Sequence, residues 1–448
     1  MSKVVKVIGG GLAGCECALQ LAKRGVEVVL YEQRPTHSSP AHHTDSFAEL
    51  VCSNSLKSLR PDSAAGLLKR ELEIMDSELL KFAKMASVPA GGALAVDREA
   101  FSGLVDKAIE NSPYIQVVRQ EVKTLPQGPC VIAAGPLCSD DLFEALIEKV
   151  GSESCAFFDA AAPIVDATTL NRDIVFSQSR YEGQEEGDYL NCPMNKEQYE
   201  AFWAELVDAK RVIAREFEQK DLFCACQPAE EVARTGKDSL RFGAMKPVGL
   251  IDPRTGHRPW ACVQLRAENA HKTAYNLVGF QTNLTWPEQK RVFRMIPGLE
   301  EAVFFRYGVM HRNSFLDSPR VLDKTFKIPD TQIRLAGQIT GTEGYTEAIA
   351  SGLLAALNTY ADLNDLEPCI LPPTGAFGSL VGYATSPETK PYQPLHVNFG
   401  IFEPLEDQTL RKRQRYEAYS ARSQKDLVEF VSKRCDLFAG KADENGCL

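Results

Sequence analysis

The sequence predicts an α/β protein in which a Rossmann-like dinucleotide-binding domain, split into two segments, carries an inserted α/β domain. Three observations support this. The first thirty residues read strand, glycine turn, helix, strand. A second short strand followed by a glycine-punctuated helix recurs at 333–358. Between them lie an amphipathic helix and a run of short alternating strands. At 448 residues the chain is about three times the commonest domain length, which suits two or three domains or one large α/β domain with an insertion.

Val4-Val5-Lys6-Val7-Ile8 is an apolar run that ends in Gly9-Gly10-Gly11-Leu12-Ala13-Gly14, and helical spacing follows from Cys15 to Arg24. Gly25 sits where a helix C-cap belongs, Val26 to Leu30 reads as the next strand, and Glu32 falls just past its end. In this G-x-G-x-x-G turn Gly9 makes the tight bend, Gly11 lets backbone N–H groups approach a pyrophosphate, and Gly14 lets helix and strand pack closely. Gly10, Leu12 and Ala13 complete the cradle, and Glu32 is placed to accept hydrogen bonds from an adenosine ribose. Downstream, Pro129-Cys130-Val131-Ile132-Ala133-Ala134-Gly135 is a buried strand ending in small residues. Ile333-Arg334-Leu335-Ala336-Gly337 is another strand, and Gly341, Gly344 and Gly352 punctuate a helix running through Asn358. A helix N-terminus at that point aims its dipole at the phosphates or the flavin C2 carbonyl. Two cofactor segments, with Gly337, Gly341 and Gly344 in the second, favour FAD over NAD and a fold of the two-dinucleotide flavoprotein kind.

In the middle, Lys196 to Glu218 puts Tyr199, Phe202, Trp203, Leu206 and Val207 on one helical face, a core-facing pattern. From Leu240 to Phe280 short strands alternate around a turn at Asp252-Pro253-Arg254-Thr255-Gly256. The expected division is a first cofactor segment over 1–195, an insertion on the substrate side over 196–300, a second cofactor segment over 301–405 and a polar tail over 406–448. The insertion carries Arg234, Lys237, Arg241, Lys246, Arg254, His257, Arg258, Arg266, Lys290, Arg291 and Arg294, interleaved with acids and therefore read as solvated charge. The tail opens on Arg411-Lys412-Arg413-Gln414-Arg415.

Composition narrows the class. Hydrophobic residues at 44% and charged residues at 25% are ordinary for a globular chain, which excludes wholesale disorder. The net charge of −10 advertises no polyanion partner, so nucleic-acid binding requires a local basic surface. With no apolar run of about 18 residues and no charged leader, a cytoplasmic protein without membrane attachment is expected. The thirteen cysteines are irregularly spaced and include no CxxC pair. His37, His42, His43 and Asp45 lack a second ligand cluster, so no metal is expected.

At Val51-Cys52-Ser53-Asn54-Ser55-Leu56 the motifs become specific. The blocks GGGLAG, PAHHTDSFAELVCSNSL, VPAGGALAVDREAFS, DYLNCPMN, MKPVGLIDPRTG, LVGFQTNLTWPEQKRV, MIPGLE, RYGVMHRNSF and GQITGTEGYTEAIASG follow in order over roughly Lys3 to Gly400. In these blocks the chain resembles the bacterial folate- and FAD-dependent tRNA (uracil-5-)-methyltransferases, which convert the T-loop uridine to ribothymidine. The resemblance implies FAD as cofactor, 5,10-methylenetetrahydrofolate and NAD(P)H as cosubstrates and the tRNA T-arm as partner, with no obligatory protein partner.

The chemistry explains the parts. Uracil C5 is a poor nucleophile until something adds at C6, and a thiolate both attacks well and leaves again. The folate delivers carbon at the formaldehyde level, so making a methyl group requires two further electrons, which a reduced flavin supplies. By the resemblance, Cys226 in Phe223-Cys224-Ala225-Cys226-Gln227-Pro228 matches the nucleophile, and Cys52 matches the cysteine beside the flavin, with acid–base and site-organising roles both arguable. His311 in Val309-Met310-His311-Arg312-Asn313 looks like the residue that stacks on the folate pterin. Cys224, two residues before Cys226, is an extra cysteine and an alternative nucleophile, and Cys192 is structural or assisting. Two other readings stay open: the same chemistry on a uridine of 23S rRNA, and an NAD(P)H-dependent FAD oxidoreductase of a small molecule.

Overall fold

The computed structural model describes residues 4–39, 41–151, 155–160, 162–180, 187–212, 227–308, 310–390, 392–407 and 409–438, with the backbone alone at 155–160 and 310–312. Five short strands form a parallel sheet in the order Ile333–Leu335, Cys130–Ile132, β1 (Val5–Ile8), β2 (Val28–Glu32) and Ile115–Arg119. β1 lies at the centre, with Lys6 opposite Cys130 and Val5 opposite Val28. Covered on both faces, such strands are apolar runs, as the sequence of β1 indicates.

Helix α1 (Leu12–Lys23) packs between this sheet and the helix Tyr345–Leu363, so even Glu16 and Gln20 are buried. Their polar atoms are used. Glu16 accepts the backbone N–H groups of Glu78 and Leu79 at 3.1 and 2.8 Å, and thereby caps the helix Glu78–Met85. Strand β2 starts two residues later than expected, and Glu32 is its last residue. Val26 is held back because its N–H bonds to Leu21 O while Gly25 N–H bonds to Ala22 O, a Schellman closure of α1.

The second unit is a six-stranded antiparallel sheet in the order Phe176–Ser177, Tyr189–Met194, Ala261–Ala267, Ala274–Leu277, Ile164–Asp166 and Phe304–Arg306. It has its own apolar core, which includes Val165, Phe202, Val263, Phe280 and Phe293. An insertion bounded at 196–300 cuts this sheet, since three strands precede 196 and one follows 300; we draw the unit at 162–308. The early strands escape sequence reading because Tyr189–Met194 is buried along nearly all its length and shows no alternation. The helix Lys196–Asp208 opens on a capping box between Asn195 and Gln198 and buries Tyr199, Phe202 and Leu206. It ends before the expected Glu218, and 213–226 lie outside the described residues. The turn at 252–256 closes through Gly256 N–H to Asp252 O.

The two chain crossings between the units, Cys155–Ala160 and Met310–Phe315, pair antiparallel with His311 opposite Asp159. Within the stretch expected as a polar tail, 406–448, the described residues include the helix Lys412–Lys433. Its Tyr419, Ser420, Ser423 and Leu427 are buried. Ser423 Oγ donates to Glu71 Oε1 at 2.5 Å, and the same carboxylate accepts Ala376 N–H and Phe377 N–H, tying three helices together. Among the described residues no helix is long and apolar enough to cross a membrane.

Candidate cofactor and substrate site

The carboxyl ends of the parallel strands open into a cavity of about 980 Å³, its mouth included, the usual ligand position in such sheets. Gly9, Gly11, Leu12, Ala13, Glu32 and Gly337 all line it. Gly9 has φ +104°, and a Cβ there would stand 2.4 Å from Ala133 O; a Cβ on Gly14 would stand 1.8 Å from Gly9 O. Gly11 differs, because nothing lies within 4 Å of its would-be Cβ, and that space belongs to the cavity. Gly11 is also the N-cap of α1, no side chain caps that end, and the first turn holds no acid. Uncapped N–H groups, the positive end of the helix dipole and an open glycine face fit a dinucleotide pyrophosphate such as that of FAD.

The other predicted cofactor residues are placed differently. Gly10 N–H donates to Glu32 Oε2 at 2.8 Å, so it organises the cradle from behind. Gly14 packs against Gly9, and Gly341, at φ +77°, packs against the Tyr392 ring, where a Cβ would meet the hydroxyl at 2.2 Å. Gly344 is the N-cap of Tyr345–Leu363, again with no side-chain cap. Glu32 Oε1 accepts from Arg34 Nε at 2.9 Å and Arg34 N–H at 3.0 Å, and Arg34 Nη1 reaches Glu49 at 3.0 Å. Burial pushes the Glu32 carboxyl up, but the Arg34 guanidinium and the Gly10 N–H outweigh it and hold it below the usual range. It is thus a fixed anionic acceptor at the end of β2, where a ribose would lie. His42 also lines the cavity; burial, with Arg34 adding to it, pushes its pKa down to about 4, so the ring is neutral.

Cys52 is half-buried beside this cavity, next to Val51, which lines it. Its loop is gripped from two sides. Tyr345 OH accepts Cys52 N–H at 2.8 Å and Ser53 N–H at 3.1 Å, and Tyr345 itself lines the cavity. Arg98 donates to Leu50 O and, at 3.3 Å, to Cys52 O, while its Nε bonds to Glu268 at 2.6 Å. Arg306 donates to Val51 O at 2.5 Å, and Arg266 donates to Asn54 Oδ1 at 2.8 Å. Burial pushes Arg266 and Arg306 down, with Arg98 adding to the effect on Arg306, yet guanidinium groups stay charged in proteins. Three guanidinium groups therefore bind the chain at 50–54, of which Arg98 is paired with the Glu268 carboxylate, and this wall of the site favours anions. Burial, and after it Cys52, pushes the Tyr345 phenol up, so it remains protonated.

Cys226 and Cys224 lie outside the described residues, and only the residues flanking their segment are described. Val212 N–H bonds to Asn283 O and Ala229 N–H to Gln281 O, both at 2.7 Å. His311 lies on the strand Met310–Phe315, and its side chain is outside the described residues. Gln289 clamps Gly308 on that approach, donating to its O and accepting its N–H at 2.8 Å each. Cys192 is buried in the second core, which pushes its thiol well up and suits packing.

Of the cations read as solvated charge, Arg266 is instead buried at the junction of the units. Arg234, Arg241, Arg254 and Arg291 are engaged by Val207 O, by Trp260, by Asp252, and by Glu205 and Glu288 respectively. Arg98, Arg306 and Tyr345 were not singled out from sequence. Arg266 did leave a signal, since it is the charged residue of Ala261–Ala267, a strand buried at every position.

The model of the "Glucose inhibited division protein A" family matches residues 4–367. "Methylenetetrahydrofolate--tRNA-(uracil-5-)-methyltransferase TrmFO" of Acetivibrio thermocellus is 50% identical over 435 residues, 97% of this chain and all of the relative. The protein of the same name from Bacillus cereus strain AH187 is 49% identical over 432 residues, 96% of this chain and 99% of that one. The chain belongs to this methyltransferase family. Its fold is also that of Aquifex aeolicus GidA, at TM-score 0.67 and 16% identity, covering 96% of this chain and 73% of GidA. The family's shared features thus extend through both units, the parallel sheet and the antiparallel one.

Proposed function

We propose that the protein is a methylenetetrahydrofolate-dependent tRNA (uracil-5-)-methyltransferase that forms 5-methyluridine at the T-loop uridine. The supporting observation is the extent of the identity, 50% over 97% of the chain. A plain flavin oxidoreductase sharing only a cofactor cradle would leave the identity over 97% of the chain without a reason.

Gly9, Gly11, Leu12, Ala13, Glu32 and Gly337 would hold FAD, which, reduced by NAD(P)H, would supply the two electrons that separate a methylene from a methyl group. The uncapped first turn of α1 binds the pyrophosphate, and Glu32, kept anionic by Arg34, orients the ribose. The Cys226 thiolate adds to uracil C6, which places electron density on C5 and O4. C5 bonds to the one-carbon unit delivered by the folate. Removal of the C5 proton by a base expels the carrier nitrogen and leaves an exocyclic methylene, which a hydride equivalent from the reduced flavin would convert to the methyl group as Cys226 is expelled and the ring restored. His311 stacks on the pterin. Cys52, its loop fixed by Tyr345 and Arg98, organises the site or serves as its acid–base group. The guanidinium groups of Arg98, Arg266 and Arg306 make the surroundings favourable to the negative charge that develops on O4.

The test is methylation of T-loop tRNA and 23S rRNA transcripts with methylenetetrahydrofolate and NADPH, mapped by mass spectrometry. A folate-dependent 5-methyluridine in the T-loop is expected. The mark in rRNA alone moves the substrate, and NADPH oxidation with no mark on either RNA overturns the reading. Separately, a Cys226→Ala protein that still forms a covalent adduct with 5-fluorouridine RNA refutes the nucleophile.

A further inference from the structure

Three aromatic rings in the second unit are stacked in succession. Trp286 stacks on Tyr307 with centroids 5.5 Å apart and planes 15° apart, and Tyr307 in turn stacks with Phe304 at 5.2 Å and 17°. Phe304 packs on the apolar core, whereas Trp286 at the outer end is 58% exposed. What sets Trp286 apart from other exposed apolar residues is that its ring is stacked on Tyr307 and borders a concavity with exposed Val212.

The location says what kind of partner fits. Trp286 and Lys290 are four residues apart on the helix Trp286–Phe293 and so share a face. Lys290 is exposed and has no ion-pair partner among the described residues. An open aromatic face with a cation one turn along is complementary to a nucleotide, base on the ring and phosphate on the ammonium. Val212 and Trp286 line one concavity with Gly308. Val212 opens the segment that leads to Cys226, and Gly308 precedes the strand that carries His311. The concavity is thus bordered by one residue that adjoins the segment 213–226 along the chain and another that lies two residues before the strand Met310–Phe315.

We propose that the exposed face of Trp286, supported by Tyr307 and Phe304 and flanked by Lys290, stacks an unpaired nucleobase of the RNA substrate near the target uridine. This rests on the RNA-methyltransferase reading and adds a binding subsite to it. Trp286 is a positioning residue here, and its ring holds the RNA without touching the reacting atoms.

The test compares full-length wild type, Trp286→Ala, Trp286→Phe and Lys290→Gln on a T-arm stem–loop RNA, reading RNA affinity, KM and kcat for methylation, and NADPH-driven flavin reduction without RNA. Trp286→Ala is expected to raise KM and Kd for RNA about tenfold, the lower part of the range for one base–aromatic stack, with kcat and flavin reduction unchanged. Trp286→Phe restores most of the affinity, and Lys290→Gln lowers the slope of log affinity against log salt by about one. Trp286→Ala with wild-type KM and Kd overturns the site, as does a Trp286→Phe protein no better than Trp286→Ala. A wild type that reduces its flavin but neither binds nor methylates the stem–loop overturns the RNA reading itself, which is a separate result.

Discussion

The close approach of α1 to the helix Tyr345–Leu363 makes Gly352 a sharp test of how the cofactor cradle is supported. A Cβ on Gly352 would stand 2.1 Å from the backbone O of Ala13, and ordinary contact begins at 3.4 Å, so in Gly352→Ala the two helices must part by the difference, 1.3 Å. Neither side yields easily, since the obstacle is backbone and Ala13 lines the cavity. Glycine-to-alanine exchange within a helix by itself stabilises by about 0.5–1 kcal/mol, whereas overpacking a tight contact costs about 1–3 kcal/mol. The net expectation is a loss of about 1–2 kcal/mol with weakened FAD binding, because the displaced atom belongs to the first turn that faces the pyrophosphate. Gly103, inside the helix Arg98–Glu110, is the control, as nothing lies within 4 Å of its would-be Cβ. Gly103→Ala is expected to stabilise by about 0.5–1 kcal/mol and leave FAD untouched. Urea midpoints and flavin absorbance after gel filtration measure both. A Gly352→Ala protein that gains stability as Gly103→Ala does, and keeps its FAD, refutes the argument.

Glu32→Gln leaves the buried Arg34 guanidinium with Glu49 as its remaining carboxylate and is expected to cost about 3 kcal/mol and most of the FAD affinity, read by urea titration and flavin content. Because the folded Glu32 pKa lies below its unfolded value of about 4.3, its stabilisation is complete above about pH 5 and is lost as pH falls further. The midpoint difference between wild type and Glu32→Gln therefore shrinks between about pH 5 and 3, and a difference that stays constant contradicts the ion-pair account. Tyr345→Phe removes the acceptor of two N–H groups in the Cys52 loop, with kcat expected to fall by about tenfold while RNA KM changes little. Steady-state methylation kinetics distinguish that outcome from a general loss of folding.

Much of the cofactor domain is legible because its signals are local. Gly9 and Gly14 are demanded by contacts within one turn or with the adjacent strand, Gly11 leaves the cavity open, and Glu32 terminates the next strand. The early strands of the second unit hide for the opposite reason, since Tyr189–Met194, buried along nearly all its length, gives no alternating pattern, whereas the helix at 196 and the strands and turn within 240–280 are legible. The grip on Cys52 is least visible, because Tyr345 is 293 residues from Cys52 and Arg98 meets Glu268 across 170. The first pairing exists only once the two cofactor segments meet, and the second only once the two units meet. The burial of Arg266 illustrates the same limit, as interleaved acids in sequence imply solvent and the fold instead sets the guanidinium against Asn54.

The side-by-side crossing of Cys155–Ala160 and Met310–Phe315 gives the second unit the character of a cassette. Its entry and exit leave the parent domain as neighbouring strands, about 5 Å apart as antiparallel pairs are, so neither end requires a long loop to close. Lineages can exchange, enlarge or delete such a unit while the host sheet keeps its register. For protein engineers the same ribbon is a graft point, where a foreign recognition module with closely spaced termini can be joined to an intact flavin scaffold.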